Sequence, residues 1–231
     1  MNKDGDSEEH QLSRDMLERG LVQKLALDRD GKNSSVLSED ELVASRQNYI
    51  NDDYRGPDIW VFGYGSLIWN PLIAYEEKQF GHVYGYHKRF CLWTRLGRGS
   101  PENPGLVLAL DRGGSVKGVI FRVAAKNAVK EMDILWQREM INNSYYPKWV
   151  NVHTDGGVKT ALSFVIRRDS PAFAGRMPEE TVAKIIARAT GFLGPCYHYL
   201  FETANALTRD GIGDSRLNRL VQLVKRYQTE E

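Results

Sequence analysis

Trp60-Val61-Phe62-Gly63-Tyr64-Gly65-Ser66-Leu67-Ile68-Trp69 is the stretch from which the rest of this chain can be read. It opens as a buried strand, breaks at two glycines one residue apart, and returns to apolar residues. Glycine has no Cβ, so Gly63 and Gly65 let the backbone take positive φ and approach a ligand closely. The local pattern leaves two readings open. One is a plain strand end, with Gly in a turn and Trp60 and Trp69 in the core. The other is a loop whose N–H groups converge as a nest on a carboxylate or another oxyanion.

Downstream of this stretch the pattern is β-rich to Val123. Gly81–Arg95 is dense in aromatic and β-branched residues and reads as a strand. Residues 97–105 form a loop by composition, and Leu106–Leu110 is a short apolar strand. Asp111-Arg112-Gly113-Gly114 is expected to be a hairpin turn, with Val116–Val123 as the returning strand. Strands joined in this way predict an antiparallel sheet curling towards a barrel. Ala125–Glu139 switches to helical period, with Val129, Met132, Leu135 and Trp136 on one face. Two further strands, Trp149–His153 and Thr160–Ile166, flank an Asp155-Gly156-Gly157 turn. After Pro171 three amphipathic helices follow, carried by Val182–Ala189, Tyr199–Leu207 and Leu217–Val224.

Upstream, a helix is expected over about residues 9–26, then a polar loop over 28–35. Asp28-x-Asp30-Gly31 lacks the remaining ligands of a calcium loop. Ser38-Glu39-Asp40-Glu41 is a capping box and predicts a short helix through about Asn48. The β pattern begins after Pro57. Residues 1–57 are therefore expected to be a partly flexible helical extension, and residues 58–231 the main domain.

Composition narrows the function. The 231 residues, 42% hydrophobic, suffice for a sizeable core. With 31 basic against 30 acidic side chains, no global field draws the chain to nucleic acid or an anionic membrane. Lys88, Arg89, Arg95, Arg98 and Arg112 are read as a solvated face. Cys91 and Cys196 are far apart and form neither a disulfide scaffold nor a zinc framework. No apolar run approaches the ~20 residues of a spanning helix, and a polar N-terminus has no signal-peptide core. A cytoplasmic protein is expected, with no protein partner deducible.

Several catalytic patterns fail. Ile68 stands where a dinucleotide fingerprint needs its third Gly. There is no Walker Gly-Lys-Ser/Thr and no H-E-x-x-H. Ser66 lacks the flanks of a nucleophile elbow, and His10, His82, His87, His153 and His198 have no metal-ligand spacing. One carboxylate stands out. Met132, Trp136 and Glu139 fall at i, i+4 and i+7, so Glu139 continues an apolar stripe, while Glu131, Asp133 and Arg138 are expected to point elsewhere. A carboxyl on a buried face is desolvated and its pKa rises towards that of a working base, a shift that neighbouring Arg138 would oppose if it reached the carboxylate. The alternative is that Glu139, at the helix end, turns into solvent.

Phe62-Gly63-Tyr64-Gly65-Ser66-Leu67 with Arg138-Glu139-Met140 far downstream resembles the ChaC family of γ-glutamylcyclotransferases. His87-x-Arg89-Phe90, Pro104-Gly105-x-Val107, Gly118-Val119-x-Phe121-Arg122, Tyr199-Leu200-x-x-Thr203 and Gly211-Ile212-x-Asp214 agree in order, so the resemblance runs from about residue 59 to 224. It implies an α+β fold, a mixed and mostly antiparallel β-barrel with flanking helices. It also implies cleavage of glutathione to 5-oxoproline and cysteinylglycine, with Glu139 as base and Val61, Phe62, Gly63, Tyr64, Gly65, Ser66 and Leu67 holding the γ-glutamyl group. No metal or organic cofactor is implied. The helix tip Ile141-Asn142-Asn143-Ser144-Tyr145 departs from the Gly-rich tips of many relatives, on the side where the leaving group would lie. Two alternatives remain: a cyclotransferase for other γ-glutamyl amino acids or amines, and a non-catalytic γ-glutamyl-binding module.

Overall fold

In a computed structural model the described residues are 11–30 and 35–229. They group into two compact units, one of Ser13–Lys88 with Leu110–Ser170, the other containing Arg89–Ala109 and the chain from Pro171.

The first unit holds most of a closed barrel. Its strands are β1 (Ile59–Gly63), β2 (Glu77–Thr94), β3 (Gly105–Val123), β4 (Tyr145–Thr154) and β5 (Gly157–Ile166), in the order β1-β3-β2-β4-β5. β1 lies antiparallel to β3, with Val61 opposite Phe121, and parallel to β5, with Val61 opposite Leu162. β4 and β5 form an antiparallel hairpin closed between Thr154 and Gly157. Because strand side chains alternate faces, Val61, Val119, Phe121 and Leu162 meet inside, all fully buried. The expected mixed, mostly antiparallel barrel is present.

The turn expected at Asp111–Gly114 is not: β3 continues through it. Gly113 and Gly114 take φ of +95° and +75°, which irregularises the strand without reversing it. His87 on β2 lies alongside, its Nδ1 2.8 Å from the Gly113 carbonyl oxygen. Asp111, which composition assigned to the turn, is buried and accepts from Arg168 Nε at 2.7 Å and its neighbour's N–H at 2.8 Å.

Upstream of the barrel are α1 (Arg14–Glu18), α2 (Leu21–Asp30) and α3 (Glu39–Gln47). The single helix expected over residues 9–26 is thus two helices, divided at Gly20 with φ +62°; its expected start at residue 9 lies outside the described residues. Ser13 caps α1 through its hydroxyl. The capping box of α3 forms as read: Glu41 N–H donates to Ser38 Oγ at 3.2 Å, and Ser38 N–H to Glu41 Oε2 at 2.8 Å. Part of the polar loop over 28–35 is helical, since α2 runs to Asp30; Gly31 to Ser34 lie outside the described residues. α1 and α3 pack on α4 (Ala128–Glu139), whose Met132, Leu135 and Trp136 are buried, and α2 packs on α1. Trp136 meets Phe164 of β5 edge to face at 5.5 Å.

The second unit carries α5 (Glu179–Arg188), α6 (Cys196–Arg209) and α7 (Ser215–Thr229), each with an apolar stripe inward. Its irregular segment closes on itself by close backbone contact. A Cβ on Gly99 would stand 2.1 Å from the nitrogen of Gly105. Arg98, expected on a solvated face, is instead buried and donates to the carbonyls of Leu193 and Pro195. Cys196 is buried, its Sγ donating to the Leu106 carbonyl at 3.1 Å, and burial pushes its thiol up to about 12. Among the described residues no helix is long and apolar enough to cross a membrane.

Candidate active site

β1 delivers the glycine loop. Val61 and Phe62 are fully buried within the strand, and the chain leaves the barrel at Gly63 into a 3-10 turn over Ser66–Ile68. Neither Gly63 nor Gly65 uses the positive φ open to glycine; Gly65 lies at φ −133°, ψ −126°. Gly63 is required for space instead: a Cβ there would approach Leu67 Cβ to 2.9 Å and Phe121 Cε2 to 3.4 Å. The loop turns its carbonyls into itself. Gly65 C=O accepts Ile68 N–H at 3.0 Å, and Ser66 C=O accepts Asn70 N–H at 2.8 Å. The N–H groups of Ser66 and Leu67 accordingly stand at the opening end of a helical turn, the end that attracts anions. Tyr64 is buried and anchors the loop by donating its hydroxyl to the Phe164 carbonyl at 3.1 Å.

α4 delivers the carboxylate. Glu139 is its last residue, with a side chain 16% exposed, so it does not turn out into solvent. Arg138 was expected to point elsewhere, or to oppose the shift of Glu139 if it reached that carboxylate; it does reach it, and its link to the loop was not foreseen. Arg138 is 5% exposed and donates from Nε to Glu139 Oε1 at 3.0 Å. Its Nη2 donates to Ser66 Oγ at 2.9 Å, and its Nη1 to the carbonyls of Asn70 and Pro71. One guanidinium therefore holds both the carboxylate and the glycine loop. The signal available in sequence was the Arg-Glu pair itself, a cation beside a carboxylate that the apolar stripe carries inward. Burial raises the Glu139 pKa above the ordinary carboxylate range; Arg138 opposes this through charge and hydrogen bond but does not cancel it.

Glu131 was also expected to point away, yet it is buried, because α4 is covered on a second side by the upstream helices. Arg14 binds it with two hydrogen bonds of 2.7 and 3.0 Å. Beyond Glu139 the chain turns at Asn143, whose φ is +49°. Asn tolerates this left-handed conformation better than most residues, so the tip makes its turn without Gly. Arg167 Nη1 donates to Asn143 Oδ1 at 2.8 Å. Among the described residues no cluster of three or more His, Cys, Asp or Glu has a metal-site arrangement.

With a glycine loop and a buried Arg-Glu pair joined in this way, comparison with known proteins becomes informative. The family described as ChaC-like protein matches residues 59–227. This chain belongs to the ChaC family. A ChaC relative from Escherichia coli (strain K12), the glutathione-specific gamma-glutamylcyclotransferase, is 38% identical over 177 residues, covering 76% of either chain. Glutathione-specific gamma-glutamylcyclotransferase 1 of Mus musculus is 34% identical over 173 residues, covering 72% of this chain and 78% of its own. Among solved structures, the yeast gamma-glutamylcyclotransferase specific to glutathione superimposes with a TM-score of 0.71 at 24% identity. It covers 76% of this chain and 99% of the yeast chain, which establishes the shared fold.

Proposed function

We propose that this chain cleaves glutathione to 5-oxoproline and cysteinylglycine, with residues 58–231 as the catalytic domain. The observation that carries the reading is the Arg138 guanidinium, bound at once to Glu139 and to Ser66 of the glycine loop. The names of the E. coli and mouse relatives supply the substrate.

The reaction is an intramolecular aminolysis. The α-amine of the γ-glutamyl group attacks its own γ-carbonyl carbon, a new C–N bond closes a five-membered ring, and the C–N bond to cysteine breaks. At neutral pH that amine is largely an ammonium and cannot attack. Glu139, as carboxylate, takes one proton so that the amine can attack; the attacking nitrogen sheds a second as the ring closes, and Glu139 passes the two in turn to the cysteinyl nitrogen, which leaves as an ammonium. A base with a raised pKa serves both halves, because it is neither too weak to accept nor too strong an acid to hold the proton. Ring closure also requires the glutamyl chain to be folded back, so holding the substrate is a large share of the work. The segment Val61, Phe62, Gly63, Tyr64, Gly65, Ser66 and Leu67 does this, the backbone N–H groups of Tyr64 to Leu67 lying on the substrate's oxygens. No side-chain nucleophile is needed, since the substrate carries its own. We assign the activity to the cytoplasm, consistent with Cys91 and Cys196 both being buried thiols and not a disulfide.

The test is 5-oxoproline release from glutathione by wild type and Glu139→Gln. Wild type is expected to release it and the variant not. Release from γ-glutamylalanine but not from glutathione would move the enzyme to other γ-glutamyl substrates, and binding of glutathione without turnover would make it a binding module.

A further inference from the structure

Outside the stretch that matches the family, residues 13–30 and 35–50 touch α4 in nearly every turn. At its start Arg14 holds the buried Glu131 in a two-bonded ion pair. Arg46, itself buried, donates from Nε to Asp133 at 2.8 Å and is fixed in place by the Ile50 carbonyl, also at 2.8 Å. Ser45 Oγ accepts the Trp136 indole N–H at 3.1 Å, and the Tyr49 ring lies 5.7 Å from that of Trp136. Just past Glu139, Leu37 N–H donates to the Ile141 carbonyl at 2.8 Å. The contacts thus begin eight residues before the carboxylate and end two after it.

The same segment also reaches the loop. Arg14 Nη1 donates to the Leu72 carbonyl at 3.0 Å, at a residue held in the left-handed region with φ +58°. Glu131 Oε2, besides binding Arg14, accepts the Ala74 N–H at 2.7 Å. Arg138 binds this loop two residues earlier, at Asn70 and Pro71. The run from Ser66 to Ala74 is therefore held by Arg138 at one end and by the Arg14–Glu131 pair at the other, and both hands belong to or grip α4.

We propose that residues 13–30 and 35–50 are a positioning frame for the reaction: Arg14, Ser45 and Arg46 fix α4 along its length, Leu37 holds the turn just past it, and Arg14 locks the helix to the run that follows the glycine loop, so that Glu139 meets the amine of the bound γ-glutamyl group. The inference rests on Glu139 being the base. Arg14 and Arg46 touch no reacting atom and act only through α4 and the loop. General-base catalysis is sensitive to such placement: an error of about 1 Å can cost about 100-fold in rate.

The frame is tested in the full chain with Arg14→Met/Glu131→Gln, which removes the buried charge together with its partner and keeps an acceptor for Ala74, and separately with Arg46→Met. Rates are referred to the folded fraction, measured by circular dichroism. The expected result is a fall in kcat of about tenfold or more, with KM within about threefold. The acid limb of kcat/KM should also move to lower pH as a loosened Glu139 gains water. Among the described residues, the charged group hydrogen-bonded to that carboxylate is Arg138, and the loop offers it the Ser66 hydroxyl and the Asn70 and Pro71 carbonyls, none of which titrates in the range. Arg14→Lys, which restores one donor, should recover part of kcat and of the limb. A rate that falls only with the folded fraction, on an unmoved acid limb, overturns the frame. A wild type that makes no 5-oxoproline from glutathione, or a Glu139→Gln variant as active as wild type, overturns the underlying reading instead, and the two failures are told apart by those controls.

Discussion

Two sets of ion pairs divide this molecule. Between α5 and α7, Arg219 pairs with Glu179 and Arg226 with Glu180, and the second pair has side chains 51% and 54% exposed. Along α4, Arg14 pairs with a Glu131 that is 3% exposed, and Arg138 with Glu139 at 5% and 16%. The first set decorates the rim of an apolar contact made by Val182, Ile186, Leu220 and Val224. Charges there lie in water, and their attraction is screened. The second set has lost its water, and desolvation of a charge is costly even when it is paired. Stability alone would be served better by apolar residues at such positions, so the α4 pairs are where a chemical role is to be sought. Within the second set, burial raises the Glu139 carboxyl pKa, and Arg138 opposes this without cancelling it.

The sharpest way to break the comparison is at Glu139. Glu139→Gln keeps shape and most hydrogen-bonding capacity while removing the proton acceptor. Activity should fall by about 10²–10⁴-fold, the usual value of a placed general base, as read by 5-oxoproline formation under saturating glutathione. Next in size is Arg14→Met, which leaves Glu131 buried without its partner cation. That should lower stability by about 3 kcal/mol, the low end for a broken buried pair, since Arg14 itself is 29% exposed. Denaturant unfolding measures it. Adding Glu131→Gln to Arg14→Met should recover a substantial part, because the uncompensated charge goes with it.

How much of this was readable beforehand depended on the range of the interaction. The barrel strands, the capping box at Ser38 and the inward stripe of α4 are set by neighbours in sequence and were legible. Glu139 was legible as the residue that extends the stripe Met132-Trp136. The misreadings at Arg138, Glu131 and Arg98 share one cause: each is a charged residue buried by partners distant in the chain, and periodicity places charges outward. Arg138 is fixed by Ser66, Asn70 and Pro71; Glu131 by Arg14; Arg98 by Leu193 and Pro195. The glycines failed differently. Gly113 and Gly114 have the composition of a turn, but whether such residues reverse a strand or bend it depends on the neighbour at His87. Gly63 is needed for clearance from Leu67 and Phe121, which no local rule could distinguish from a need for positive φ.

A third prediction concerns pH. The folded-state pKa of Glu139 is raised by burial, so the native state holds that proton more tightly than the unfolded chain. Stability associated with the protonated group is fully present below the ordinary carboxylate range and is lost as pH rises through the raised folded value. Glu139→Gln cannot lose it. The variant should gain on wild type in urea unfolding as pH increases across that window, with no gap opening further above it. Activity runs the opposite way in wild type, because the ionised form is the base. Its acid limb should fall at the pH where the stability difference develops, and limbs at separate pH values would mean that another group controls catalysis.

The smallest effect belongs to the exposed set. Arg226→Ala removes the hydrogen bonds to Glu180 and the cation beside the Tyr227 ring. Both side chains of the pair are about half exposed, so water replaces what is lost and salt already weakens it. The change in unfolding free energy should be within about 0.5 kcal/mol and should shrink further in 0.5 M salt, while kcat and KM stay at their wild-type values. The result matters because Arg226 and Arg14 are the same residue type, each bonded to a glutamate. A loss at Arg226 as large as that at Arg14 would show that burial is not what separates the two sets, and the case for α4 as the chemically loaded helix would then have to rest on Glu139 alone.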